Sequence, residues 1–190
     1  VIRGFYPLSE TIVTSTPLIL GGLSVALAFR SGLFNIGAQG QFIFGAIGAS
    51  YVGFNYNFSP VLHVTIAILV GILFGGLFGG LVGLLKAKTG AHEVIVTIML
   101  NYIAALFILW LLKTTRFLRP GRQDPLAPEV NPSAQLPKLF GEDLRIHVGI
   151  FIAILAAVFV WWLLNKSTLG FKFRAVGANA NAARTAGISI

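Results

Sequence analysis

Uncharged, mostly apolar stretches recur along the chain at Thr11–Phe29, Leu33–Phe54, Val61–Leu85, Val94–Leu112 and Ile146–Leu164. Each comes close to or exceeds the length of about 20 residues that a helix needs to cross the hydrocarbon of a bilayer. A lipid-exposed backbone must satisfy its own hydrogen bonds, so the pattern predicts an all-α, polytopic integral membrane protein with about five transmembrane helices. Pro17 lies inside the first stretch and predicts a kink. The second opens on "GLFNIGAQGQF", where glycines and amides interrupt the apolar run, which predicts a helix broken near its start. Residues 113–145 form a polar loop between the fourth and fifth spans, and residues 165–190 form a basic, alanine-rich tail.

Composition strengthens this picture. The chain is 56% hydrophobic and 11% charged, against about 25% charged in soluble domains. All 190 residues therefore read as part of a single transmembrane domain. The net charge of +8 does not point to nucleic acid, because the Lys and Arg sit between apolar spans rather than among aromatics. With no cysteine there are no disulfides and no thiolate metal sites. A start at Val1 rather than Met suggests a piece of a longer protein.

Orientation follows from the short loops. With the tail in the cytoplasm, Arg30, Lys86, Lys88, Lys166, Lys172, Arg174 and Arg184 lie inside. The other seven Lys/Arg lie outside, six of them within residues 113–145. The total is a tie, yet the positive-inside rule counts short loops, and these favour a cytoplasmic tail.

Several polar and small residues are candidates for function. Gly71, Gly75, Gly79 and Gly83 form a four-residue stripe in the third span, suited to close helix packing or to a sliding surface. Glu93, Thr97 and Asn101 are also four apart and share a helix face, where they either hydrogen-bond between helices or line a water-filled path. Asn35 and Gln39 share a face at the start of the second span, while Gln41 points elsewhere. Uncharged amides donate and accept hydrogen bonds, which suits a neutral, hydroxyl-rich solute, or they tie down an interrupted helix. Substrate-path candidates are thus Asn35, Gln39, Gln41, Thr97 and Asn101.

Enzyme signatures are missing. "AHEV" at Ala91–Val94 lacks the second histidine of a zinc HExxH, and no P-loop occurs. His63, His92 and His147 sit on separate segments and read as lone interfacial side chains, so no metal site is expected. The loop carries Arg116, Arg119 and Arg122 ahead of a proline-rich stretch, either as a solvated loop or as a docking surface for an acidic partner. In the tail, Asn179 suits an N-cap, Ala180–Ala186 suit a helix of two turns, and Gly187 suits the left-handed C′ position. So short a helix is marginal alone, which predicts that its small face, Ala182, Ala183 and Ala186, docks into a partner.

"TLGFKFRAVGANANAARTAGI" (Thr168–Ile188) resembles the cytoplasmic loop of permease subunits of bacterial ABC importers, in the group handling branched-chain amino acids, ribose and nucleosides. "GLFNIGAQGQFIFGAIGA" (Gly32–Ala49), "TGAHEVIVTIMLNYIA" (Thr89–Ala104) and "NPSAQLPKL" (Asn131–Leu139) look like its nucleoside branch, and the likeness covers nearly the whole chain. Members commonly carry aspartate or proline near Asn181, a small departure. The resemblance implies a coupling helix contacting an ATPase subunit through Gly177, Asn179, Ala182, Ala183, Arg184, Ala186 and Gly187. It also implies a second permease subunit, an external substrate-binding protein and a bacterial cell-membrane location. The chain would hold no cofactor of its own, ATP and Mg²⁺ residing on the ATPase. The solute would be a nucleoside, with ribose or another simple sugar as the alternative and an ion-coupled transporter as a remoter one. Such permeases are roughly twice this length, so a second half would be missing.

Overall fold

The computed structural model describes residues 2–141 and 144–190, with side chains from residue 5 onward. Among the described residues seven α-helices follow one another: α1 Ile2–Arg30, α2 Ala38–Asn55, α3 Pro60–Thr89, α4 Glu93–Leu111, α5 Gly149–Lys166, α6 Thr168–Ala178 and α7 Ala180–Thr185. A 3-10 turn at Pro132–Ala134 breaks the long loop, of which residues 142 and 143 lie outside the described residues. Among the described residues, four helical stretches are long and apolar enough to cross a membrane: Phe5–Arg30, Pro60–Thr89, Glu93–Leu111 and Gly149–Lys166. The fifth expected span is α2, as long as α5 but less apolar, which starts five residues later than its apolar stretch because residues 33–36 are not helical. Large apolar side chains such as Leu18, Val61, Leu106 and Leu155 are exposed, as lipid-facing positions should be.

The chain divides into two compact units. In the first, residues 1–35 join residues 136–190. Here α1 packs along α5 and does not break at Pro17. Glu10 of α1 accepts from Arg145 at 3.1 Å. At the end of α5, Ser167 ties two helices together: its hydroxyl donates to the Leu163 carbonyl at 2.6 Å and accepts from the Gly170 N–H at 2.9 Å. Helix α6 then lies across the ends of two others, against the last turn of α5 through Gly170 and against the end of α1 through Gly177. A Cβ at Gly170 would sit 2.7 Å from Leu164 Cα and closer still to the Leu163 carbonyl. One at Gly177 would sit 3.0 Å from the Gly32 nitrogen and closer still to the Arg30 carbonyl.

The second unit, residues 36–135, holds α2, α3, α4 and the first part of the loop. Gly71 and Gly75 let α3 approach the α2 backbone, where added Cβ atoms would lie 3.3 Å from the Gly45 carbonyl oxygen and 3.1 Å from that of Gln41. Gly79 meets the Gln41 side chain, whereas Gly83 faces open space, so the stripe packs over three of its four positions. Helix α3 ends at Thr89 with Gly90 as its left-handed cap, and the three residues 90–92 lead into α4. Lys86 in the last turn of α3 pairs with Glu93 in the first turn of α4 at 2.5 Å. Each charge also complements the dipole of the helix end that carries it.

The loop is not simply solvated. Asn131 donates from its backbone to the Gly53 carbonyl (2.8 Å) and from its side chain to the Tyr56 carbonyl (2.7 Å). His63, expected as a lone interfacial side chain, is fully buried. Its Nε2 donates to the Val52 carbonyl at 3.0 Å and its Nδ1 pairs with the Ser133 hydroxyl at 2.8 Å. One histidine thus pins the 3-10 turn onto the ends of α2 and α3.

Candidate functional site

The expected shared face of Asn35 and Gln39 does not form, because a four-residue repeat needs a helix and Asn35 lies in the non-helical stretch before α2. Asn35 belongs to the first unit and the other four substrate-path candidates to the second. Gln39 is exposed on the first turn of α2. Gln41 turns toward α3, where its amide nitrogen is buried against Gly79 without a hydrogen-bond partner among the described residues. Thr97 is fully buried, its hydroxyl donating to the Val94 carbonyl one turn back at 3.0 Å. Asn101 reaches from α4 to the start of α2, accepting from the Gly40 N–H at 2.8 Å and donating to the Ile36 carbonyl at 3.0 Å. Of the polar face on α4, Glu93 and Asn101 therefore bond between helices. At the start of α2, the amides of Gln39 and of the more buried Gln41 keep hydrogen-bonding capacity not taken up among the described residues.

Helices α2, α3, α4 and the loop line a partly open cavity of about 530 Å³, with Phe44, Tyr51, Phe74, Phe107 and Phe117 among its walls. Its walls are nearly all apolar, so a sugar hydroxyl placed there would lose its hydrogen bonds to water without replacement. A flat ring could stack on such walls. Neither the cavity nor the His63–Ser133 contact is legible in the sequence, since their residues come together from positions about 70 apart. Among the described residues no three His, Cys, Asp or Glu side chains gather as metal ligands.

The tail forms the expected short helix, ending one residue earlier than Ala186. Asn179 caps it, Oδ1 accepting from the Ala182 N–H at 3.0 Å. At the other end Gly187 takes φ 79° and donates to the Arg184 carbonyl, while Ile188 donates to that of Ala183, both at 2.9 Å. This is the paired bonding of a Schellman stop, and the positive φ suits glycine. Ala182, Arg184 and Ala186 are exposed, but Ala183 is buried at 4% within its own unit. Ala183 is thus not part of the docking face expected for it. Gly177 is exposed, with one side against Arg30 and Gly32.

Two of the three loop arginines are also engaged. Arg119 pairs with Glu129 at 3.1 Å and its Nε donates to the Ala127 carbonyl, while Arg122 pairs with Asp124 at 2.7 Å. The hydrogen bond to Asp124 raises the Arg122 pKa and holds the Asp124 carboxyl below its ordinary range. Arg116 is exposed and outside the ion pairs of the described residues.

Comparison with known proteins places this geometry in a family. Residues 8–190 match the family described as branched-chain amino acid transport system / permease component. The chain is similar to the guanosine ABC transporter permease protein NupP of Bacillus subtilis, 43% identical over 97% of this chain and 53% of that protein. It is also similar to the nucleoside ABC transporter permease protein NupB of Lactococcus lactis, 34% identical over 96% and 52%. A third relative is the glucose ABC transporter permease protein TsgB13 of Haloferax volcanii, 33% identical over 97% and 50%. The chain spans about half the length of these curated relatives. No solved structure matches it. With a family match over residues 8–190 and a fold of long apolar helices, the chain belongs to the branched-chain amino acid transport system / permease component family and is a multi-pass membrane protein.

Proposed function

We propose that the chain is part of the permease subunit of an ATP-driven importer that moves a nucleoside by alternating access. The observation that carries this is the match over residues 8–190, together with 43% identity to a protein named as a guanosine permease. The capped α7 supports it, since an exposed rigid peg is what a separate motor subunit needs to push on. In this scheme the chain breaks no covalent bond. ATP and Mg²⁺ sit on an ATPase subunit that contacts α7 through Ala182, Arg184 and Ala186. A second permease subunit completes the path, and an external binding protein delivers solute to the loop side.

Gln39 and Gln41 serve as hydrogen-bonding groups for the solute, and the aromatic cavity offers stacking but no polar partners. A simple-sugar solute is the second reading, favoured by the 33% identity to a glucose permease. Labelled guanosine, adenosine, glucose and ribose supplied to cells with and without the full-length gene discriminate the two. Gene-dependent nucleoside uptake is expected. Uptake of glucose or ribose alone would transfer the assignment to sugars, and no gene-dependent uptake would remove it.

A further inference from the structure

The broken start of α2 has a cause on another helix. The first backbone bond of α2 runs from the Gln41 N–H to the Gly37 carbonyl at 3.1 Å. In a continuous helix the bond before it would join the Gly40 N–H to the Ile36 carbonyl. Both groups bond instead to Asn101 of α4: Gly40 N–H to Oδ1 at 2.8 Å, and the Ile36 carbonyl to Nδ2 at 3.0 Å. A backbone N–H can only donate and a carbonyl can only accept, so the two contacts fix the orientation of the amide. The carboxamide stands where one rung of the helical ladder would be.

Glycine at position 40 makes room for it. A Cβ there would lie 2.9 Å from Asn101 Oδ1 and 2.8 Å from Phe78 Cε1, too close for either to stay. A wedge of this kind spares the broken turn the cost of two unpaired backbone groups in an apolar setting.

We infer that Asn101 is a positioning residue, whose carboxamide inserts between Ile36 and Gly40 and holds α2 open there, so that Gln39 and Gln41 are presented from a shortened helix. Its bearing on the solute rests on the transport function proposed above; the wedge itself does not. Side chains other than Asn cannot do both jobs at this reach. Aspartate keeps the acceptor for Gly40 but repels the Ile36 carbonyl, and leucine, of similar size, offers neither bond. Without the wedge, Ile36 and Gly40 are free to bond to each other and carry α2 one residue further back.

The test places a single cysteine at position 39 in the full-length permease, freed of any other cysteine, and measures the rate of thiol labelling per protein present in membranes. Asn101→Leu should shift that rate on the order of fivefold, the effect of losing about one net hydrogen bond. Gly40→Ala should shift it in the same direction and by a similar factor, because its Cβ expels the same amide. The double variant should shift it no further, and Asn101→Asp should fall between wild type and Asn101→Leu. Uptake in the cysteine-free background should fall in the same non-additive way.

An unchanged labelling rate in Asn101→Leu would overturn the proposal, even if protein abundance fell, since a merely structural asparagine would lower abundance alone. Loss of uptake in Asn101→Leu with wild-type uptake and labelling in Gly40→Ala would overturn it too, and would make Asn101 a solute contact. Non-additive labelling shifts in a permease that takes up no nucleoside or sugar would uphold the wedge and sink the transport assignment instead.

Discussion

Asp124 and Arg122 show how a local pair changes what a surface offers. Asp124 is held below its ordinary pKa chiefly by the hydrogen bond from Arg122, so the contact is complete above the ordinary carboxylate range. It fades as pH falls through the lowered value, where the carboxyl takes up its proton. At neutral pH Arg122 is therefore already compensated, and Arg119 is compensated by Glu129. An acidic partner docking there would meet Arg116 as the main uncommitted charge of the three. Asp124→Asn should strengthen association with such a partner by freeing Arg122, with the gain screened away as salt rises. Binding assays across a salt series check this. An unchanged affinity at low salt in both Asp124→Asn and Arg116→Glu would leave the loop without an electrostatic docking role.

At the scale of elements, α7 separates two alanines that sequence alone treats as equals. Ala182 is exposed and Ala183 is buried. Ala183→Trp forces a ring into a packed position and should cost about 1–3 kcal/mol of stability, seen as lower thermal stability or abundance. Ala182→Trp should leave abundance unchanged and abolish ATP hydrolysis stimulated by transport in a reconstituted complex. Normal coupling in the Ala182→Trp complex would mean that α7 docks by another surface or not at all.

The caps of this helix were legible because Asn179 and Gly187 act within their own turn. The apolar spans were legible for a similar reason, since hydropathy needs no partner. The broken start of α2 was legible from its glycines and amides, but its bonds to Asn101 of α4, the tie at His63 and the inward turn of Ala183 were not. Each depends on a residue distant in sequence, and a four-residue spacing says which face is shared but not what lies opposite. The shared face assigned to Asn35 and Gln39 failed because Asn35 lies in the non-helical stretch before α2.

At the scale of the whole molecule, the joint where α6 meets two other helices has a mechanical consequence. Helix α6 touches α5 and α1 through Gly170 and Gly177, where backbone meets backbone and only the short Ser167 hydroxyl takes part. Long side chains at such contacts would act like rubber mounts, taking up a push by changing rotamer. Here there is nothing soft to compress. Gly177→Ala should part α6 from α1 and lower uptake while ATP hydrolysis continues, measurable as fewer solute molecules moved per ATP. An unaltered ratio in Gly177→Ala would show that force leaves α7 by another route. Under the proposed coupling role, the joint would behave like gearing without backlash: the smallest stroke given to α7 would arrive at two membrane helices at once.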